Sequence, residues 1–230
     1  FICIHNCSIS FRLNDNLVQA VQTLYKAMFI EPECKYPTVP MVELCSKIGS
    51  GATPKGGKSA YCDEGISLIR STNVFDYNFA YTDLAHISDE QANALSNVVV
   101  EQKDVLFNIT GVSVARCCIV PDDVLPARVN QHVMILRPYK GKLMSYFIMA
   151  TLCYTENKAK LLGIGQSGST REAINKQEME SFQIIVPPDN MIEDFGTKAE
   201  QLYNMICSNI QEIKHLESMQ QLILMQLSSR

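Results

Sequence analysis

The sequence predicts an α+β fold, a mixed or antiparallel sheet domain followed by one long coiled-coil helix. Three observations carry this. Between residues 41 and 188, short apolar runs bounded by Gly, Asn, Asp and Pro read as strands, and helical stretches interrupt them without regular strand–helix alternation. From Met191 to Leu227 the apolar residues keep a heptad spacing. Ahead of both, an amphipathic stretch runs into Pro32, Pro37 and Pro40.

In the first segment, Ile9, Leu13, Leu17, Val21, Leu24 and Met28 recur at helical spacing. That helix must end before Pro32, and Glu31–Pro40 reads as an extended linker. The domains are therefore 1–35, 36–188 and 189–230. Within the middle one, Ile66–Ile69, Asp104–Ile109 and Val133–Leu136 are expected strands. Ser88–Leu95 is expected as a short capped helix and Met144–Leu162 as a longer one. In the last, Ile192, Phe195, Ala199, Leu202, Ile206, Ile213, Leu216, Ile223 and Leu227 form a seam, with Asn209 and Gln220 at its missing steps. A helix of that length spans roughly 55 Å at 1.5 Å per residue. Its apolar stripe calls for a partner helix in a second copy or another half, the competing arrangement being a helix folded back on its own domain. Polar residues such as Asn209 and Gln220 inside a seam fix register and partner.

Composition bounds the rest. The chain is 47% hydrophobic and 19% charged, enough for one sizeable core. Its 9 cysteines include no C-x-x-C pair, which suits reduced thiols in a cytoplasm. Cys3, His5 and Cys7 are the one metal-like cluster, and without a second ligand pair they do not make a zinc site. No run of about eighteen apolar residues is present, and the opening Phe-Ile-Cys-Ile lacks the preceding basic residue of a signal peptide, so a soluble cytoplasmic protein is expected. The net charge of −4 argues mildly against nucleic acid. The acid excess sits in the tail, however. Between 103 and 176, Lys103, Arg116, Arg128, Arg137, Lys140, Lys142, Lys158, Lys160, Arg171 and Lys176 outnumber Asp104, Asp122, Asp123, Glu156 and Glu172, which leaves room for a local basic face.

Catalysis has no visible address. Gly163-Ile-Gly165-Gln-Ser-Gly168 matches the dinucleotide fingerprint in letters, but Lys158–Leu162 before it reads as a helix end rather than a strand, so a Gly-rich loop is expected. Ala52-Thr-Pro-Lys-Gly-Gly57-Lys58-Ser59 comes close to a phosphate-cradling loop, yet Ala52 replaces the first Gly and no helix signal follows. Val186-Pro-Pro-Asp189 lacks both the leading Asn or Asp and the closing aromatic of an amino-methyltransferase tetrapeptide. The four histidines, 5, 86, 132 and 215, stand near no Ser or Cys in a nucleophile setting.

The order of the remaining motifs carries a likeness. Leu13-Asn14 through Ala27-Met-Phe-Ile30, Pro40-Met-Val-Glu-Leu44 and Ile48-Gly-Ser-Gly51-Ala-Thr-Pro54 are followed by Ile66–Asn73 and Asp104–Arg116. Asn130-Gln131, Gly168-Ser-Thr-Arg171 and Ile184–Pro188 complete the series. This resembles the specificity subunits of type I restriction-modification systems, in which a helix hands over to a target recognition domain. The likeness covers roughly residues 9–228. Two departures are Lys103, where a Gly is usual, and Glu193-Asp194, where the family commonly has Glu-Gln.

What the resemblance implies is a non-enzymatic, cofactor-free chain that recognises double-stranded DNA. Separate modification subunits, carrying S-adenosylmethionine, methylate adenine, and restriction subunits cut. A full subunit has two recognition domains reading a bipartite target. One is found here, so the chain is expected to pair through its long helix, whose length sets the half-site separation. Arg suits guanine, Asn and Gln suit adenine, and Lys, Ser and Thr hold phosphates. On loops beside the matched motifs that chemistry selects Lys55, Lys58, Arg70, Asn73, Arg116, Asn130, Gln131, Ser167, Thr170 and Arg171. A coiled-coil dimer whose head binds protein rather than DNA stays open as the alternative.

Overall fold

A computed structural model describes residues 2–33, 35–167 and 173–228. Helix α1 (Ile2–Phe29) leads through the proline-bearing linker to β1 (Thr38–Pro40) and β2 (Cys45–Ser50). There follow β3 (Tyr61–Cys62), β4 (Ile66–Ile69), β5 (Val74–Phe75), β6 (Asn78–Phe79), β7 (Ala85–Ile87), α2 (Asp89–Ala94) and β8 (Val99–Val100). Next come β9 (Val105–Asn108), β10 (Cys117–Ile119), β11 (Ala127–Val129) and β12 (Val133–Pro138). Helices α3 (Lys142–Cys153), α4 (Thr155–Ser167) and α5 (Lys176–Ser181), strand β13 (Gln183–Ile185) and helix α6 (Asp189–Ser228) close the chain.

The expected α+β class and mixed sheets are present. An antiparallel sheet of order β10-β9-β12-β2 faces a second of order β3-β7-β4-β11-β8, in which β4 and β11 alone run parallel. Side chains alternate across the first sheet. Val105, Phe107, Met134 and Leu136 face the helices, while Leu106, Val133 and Ile135 join Leu68, Ile69, Ala127 and Val129 of the second sheet. Buried on both faces, β9 carries the apolar run Val-Leu-Phe that made it legible as a strand. Ser88 caps α2 by accepting the Gln91 N–H at 3.3 Å.

Four expectations need correction. The helix expected over Met144–Leu162 breaks at Tyr154, which takes an extended conformation. The break is stabilised locally: Asn157 Nδ2 donates to the Thr151 carbonyl at 3.0 Å, and the Tyr154 ring meets Tyr25 at 5.4 Å. Gly163 and Gly165 lie inside α4 rather than in a loop. Gly165 is buried, with Val114 and Ile174 about one methyl away. On α1 the buried stripe is rotated from the expected one. Leu17, Val21, Tyr25 and Phe29 are buried, whereas Leu13 is 43% exposed. Tyr25 and Phe29 join Phe147 and Phe195 in an aromatic cluster with centroids 5.3–6.4 Å apart.

The fourth concerns the seam of α6. Its partner is α1 of the same chain, running antiparallel: Phe29 lies against Phe195, and Asn209 Nδ2 donates to Asn14 Oδ1 at 2.7 Å. Along the seam Ile192, Phe195, Ala199, Ile206 and Ile213 are buried, and Leu202, Leu216 and Gln220 are half-buried. Ile223 is exposed, as are Leu222, Leu224 and Met225, and Leu227 lies in the last turn. The other side of α6 meets α3 at Gly196, where any Cβ would come within 2.8 Å of the Leu143 backbone and side chain.

Asn209 thus meets a polar partner across the seam, within one chain. Replacing Asn209 alone by Leu orphans Asn14 and is expected to destabilise by about 1–2 kcal/mol. Asn14→Leu with Asn209→Leu should recover that loss in chemical denaturation. A single variant as stable as wild type removes the pair from the register.

Candidate nucleic-acid interface

Strand ends converge on one rim. Parallel β4 and β11 finish together, with Val129 beside Ile69. The Asn130 N–H donates to the Ile69 carbonyl at 3.0 Å, and the Gly51 N–H donates to the Asn130 carbonyl at 3.1 Å. Only glycine fits at 51, because a Cβ there would lie 1.7 Å from the Val129 carbonyl oxygen. From the first sheet, β9 leaves and β12 enters at the same place: Val133 pairs with Asn108, and the Ile109 N–H donates to the His132 carbonyl at 3.0 Å. Thr110 is bridged to Ala173, whose N–H reaches the Gly165 carbonyl at 3.2 Å, so the end of α4 joins the rim.

Three loops therefore lie side by side, the Ser71–Asn73 turn, the Gly111–Ser113 hairpin tip and the Asn130–His132 turn, with Gly165 of α4 and Ala173 beside them. Asn108 Nδ2 stitches the first to the second, donating to the Ser71 carbonyl at 2.9 Å and the Val74 carbonyl at 3.2 Å. Val112 at the hairpin tip is 98% exposed, an apolar side chain held entirely in water.

The selected side chains divide by what they do. Asn73 is fully buried; it accepts the Arg70 N–H at 3.0 Å and donates to the Ala80 and Thr82 carbonyls at 2.9 and 3.3 Å. Asn130 is buried and accepts the His132 N–H at 3.0 Å. Both shape turns. Arg70 is half-buried, with its guanidinium on the Asp83 carbonyl and 5.6 Å from the Tyr61 ring centroid; its Nε has no partner. The Arg116 guanidinium lies 4.6 Å over the exposed Phe75 ring, a stacked and pre-oriented cation. Lys55 and Lys58 are exposed on the loop that starts at Gly51, and Gln91 holds the Lys55 backbone through bonds of 3.2 and 3.0 Å. That loop passes through a 3-10 turn into β3, so no helix N-terminus awaits a phosphate. Ser167 ends α4, and Thr170 and Arg171 lie outside the described residues.

Gln131 belongs to a relay that the sequence reading missed. Its Nε2 stands 3.0 Å from His132 Nε2, and His132 Nδ1 stands 2.7 Å from Thr110 Oγ1. With the amide nitrogen as donor, the ring accepts at Nε2 and carries its proton at Nδ1 toward Thr110. Gln131 Oε1 is then a buried acceptor without a partner. The signal in sequence was only the pairing register that brings Thr110 beside His132.

Part of the basic surplus between 103 and 176 is taken up in ion pairs. Arg137 is paired with Asp104 and Glu101, Lys140 with Asp189, Lys158 with Asp76, and Lys176 with Glu180. Lys103, at the position where a Gly is usual, keeps the backbone of one, with φ +66°. Its Nζ reaches Tyr146 Oη at 2.9 Å and Glu200 at 3.6 Å, and Tyr146 donates to Glu200 at 3.0 Å. Burial first, then the Glu200 charge, pushes the Tyr146 phenol above its ordinary range. Among the described residues no metal-holding cluster occurs, and no helix is long and apolar enough to cross a membrane.

Residues 37–217 match the family model described as "Type I restriction modification DNA specificity domain". The chain belongs to this family. Three solved structures share the fold of this specificity domain. One, from work on complex assembly and conformational transition of the type I R-M system, is 20% identical with a TM-score of 0.60, covering 94% of this chain and 53% of its own. The HsdS subunit from Thermoanaerobacter tengcongensis is 18% identical at TM-score 0.57, covering 94% and 52%. The S subunit of a type I restriction-modification system from M. genitalium is 13% identical at TM-score 0.64, covering 96% and 55%. The specificity domain and its helices thus span about half the length of these solved relatives.

Proposed function

We propose that this chain binds double-stranded DNA sequence-selectively through the rim, as one half of a type I specificity subunit. The observation that carries this reading is the convergence of three loops on one rim inside a domain of this family, with Arg70, Arg116 and Gln131 on it and Val112 projecting from it. The rim reads one half of a bipartite site. The modification and restriction subunits supply methylation and cleavage, and a second copy or another half completes the target. The exposed end of α6, at Leu222–Met225, is the surface for that pairing. Asn73 and Asn130 hold turns under the readers, while Arg116 and Gln131 read base edges and Lys55 and Lys58 hold phosphates. Ser167 at the end of α4 and Thr170 hold phosphates and Arg171 reads a base or holds a phosphate, on the chemistry of their side chains.

Selection of bound duplexes from a randomised pool, at two salt concentrations, tests the reading. Arg116→Ala is expected to weaken the selected duplex by about 1–3 kcal/mol and relax one position, with little change on scrambled DNA. A uniform loss with a shallower salt slope reassigns Arg116 to phosphate. The competing reading, a protein-binding head, draws on the acidic total and on the pairing of Lys and Arg within the chain; it predicts no duplex binding at any salt.

A further inference from the structure

The turn that carries Arg70 and Asn73 does not stand alone. It rests on the segment Ala80–Asp83: Asn73 donates to the Ala80 and Thr82 carbonyls, Ala80 N–H donates back to the Asn73 carbonyl at 2.8 Å, and the Arg70 guanidinium holds the Asp83 carbonyl. Asp83 has φ +55°, a conformation disfavoured for a non-glycine residue and kept by what surrounds it. In the middle of this segment Tyr81 points the other way, toward the long helix. Its hydroxyl donates to Asp123 Oδ1 at 2.9 Å, Gln211 of α6 donates to Asp123 Oδ2 at 3.1 Å, and the Lys214 ammonium of α6 lies 4.4 Å from the Tyr81 ring centroid. Phe79, buried in the core between the sheets, meets the same ring edge-on at 5.2 Å.

We propose that Tyr81 is a positioning residue that ties the Arg70–Asn73 turn to helix α6, so that base reading on the rim depends on how α6 is held. A bridge runs from Lys214, and from Gln211 by way of Asp123, to Tyr81, and through the backbone of Ala80–Asp83 to Asn73 and Arg70. It has one end on the recognition turn and the other on the helix that sets half-site separation. The consequence for DNA rests on the function proposed above; the mechanical tie does not. Movement of α6 on pairing would then be felt at one recognition loop, while the hairpin and Asn130 turn, anchored to strands β9, β11 and β12, stay put.

Amide hydrogen exchange on the full chain without DNA tests the tie. Gln211 and Lys214 are exposed, so Gln211→Ala with Lys214→Gln leaves the core intact. Exchange at the Asn73 and Ala80 amides is expected to quicken roughly three- to tenfold, with Leu106 and Ile135 of the central strands unchanged. Lys214→Arg, which keeps a cation over the ring, should restore wild-type exchange, and Tyr81→Phe should fall between. Unchanged exchange at Asn73 and Ala80 overturns the proposal, and so does equal quickening in the central strands, which would report global loosening. Selection from a randomised duplex pool is the second arm. The α6 double variant is expected to relax the preference at one base position while its affinity for random duplex is kept. Local quickening with an unaltered selected sequence overturns the reading role of the turn. A chain that binds no duplex at all removes the proposed function and leaves the exchange result to decide the tie.

Discussion

Arg137→Leu is expected to destabilise the fold by about 3–5 kcal/mol, because it leaves a carboxylate buried without its cation. Asp104 has no exposed side-chain surface, and both of its oxygens accept from Arg137 at 2.8 Å. Asp104 Oδ2 also takes the Glu101 N–H at 2.7 Å, and Arg137 holds the Val99 carbonyl at 2.9 Å, so one ion pair joins β12 to the turn before β9 and to β8 of the other sheet. Burial pushes the Asp104 carboxyl above the usual carboxylate range, and the Arg137 bonds pull it partly back; the Arg137 guanidinium is raised in turn by Asp104. The sign of the pH dependence follows. A folded pKa above the unfolded one means that the folded state binds more protons, so stability falls as pH rises past the ordinary carboxylate value of about 3.9. Without Arg137 the carboxyl rises further, and the loss relative to wild type should be smaller at pH 4 than at pH 7 in urea titrations. A loss that is equal at both pH values would show that Asp104 is not what the arginine stabilises. Removing both charges, Asp104→Asn with Arg137→Leu, should recover part of the deficit.

The elements that sequence made legible are those whose signal is local. The run Val105–Asn108, the Ser88 cap and the end of α1 before Pro32 each depend on a few neighbouring residues, and each stands where expected. A heptad stripe is also local, but it tells only that one face of a helix is covered. Which helix covers it depends on the return of the chain, and here Asn14, some two hundred residues earlier, sits opposite Asn209. The pairing within the basic segment was hidden for the same reason: Glu200, Asp189 and Asp76, which meet Lys103, Lys140 and Lys158, lie outside it in sequence. At the rim, residue type alone did not tell an enclosed amide from one that is only partly buried. Asn73 and Gln131 are both amides on loops, yet one is enclosed by three backbone bonds and the other faces His132. Lys103 shows the converse. The backbone demand of the family's usual glycine survives in its positive φ, and the added side chain gains Tyr146 and Glu200 as partners.

The largest effect on the helical half should come from Phe195→Ala, at roughly 3–5 kcal/mol. Phe195 is fully buried where α1, α3 and α6 meet, with ring centroids 5.9 Å from Tyr25, 5.3 Å from Phe29 and 6.4 Å from Phe147. Edge-to-face packing on three partners adds to the transfer term, and the rigid neighbours cannot collapse into the space left. Tyr25 among them is fully buried, and burial pushes its phenol up to about 12. For a chain of this size the melting temperature should drop by about 10 °C. The drop should come in one transition, because the same helix also packs on α3 and buries Tyr203, which donates to the Ile119 carbonyl of β10 at 2.9 Å. Two separated transitions would mean that the helix pair and the sheet domain fold apart. In that event the position of α6 would not fix where the rim stands, and Phe195 would be the residue through which the two are joined.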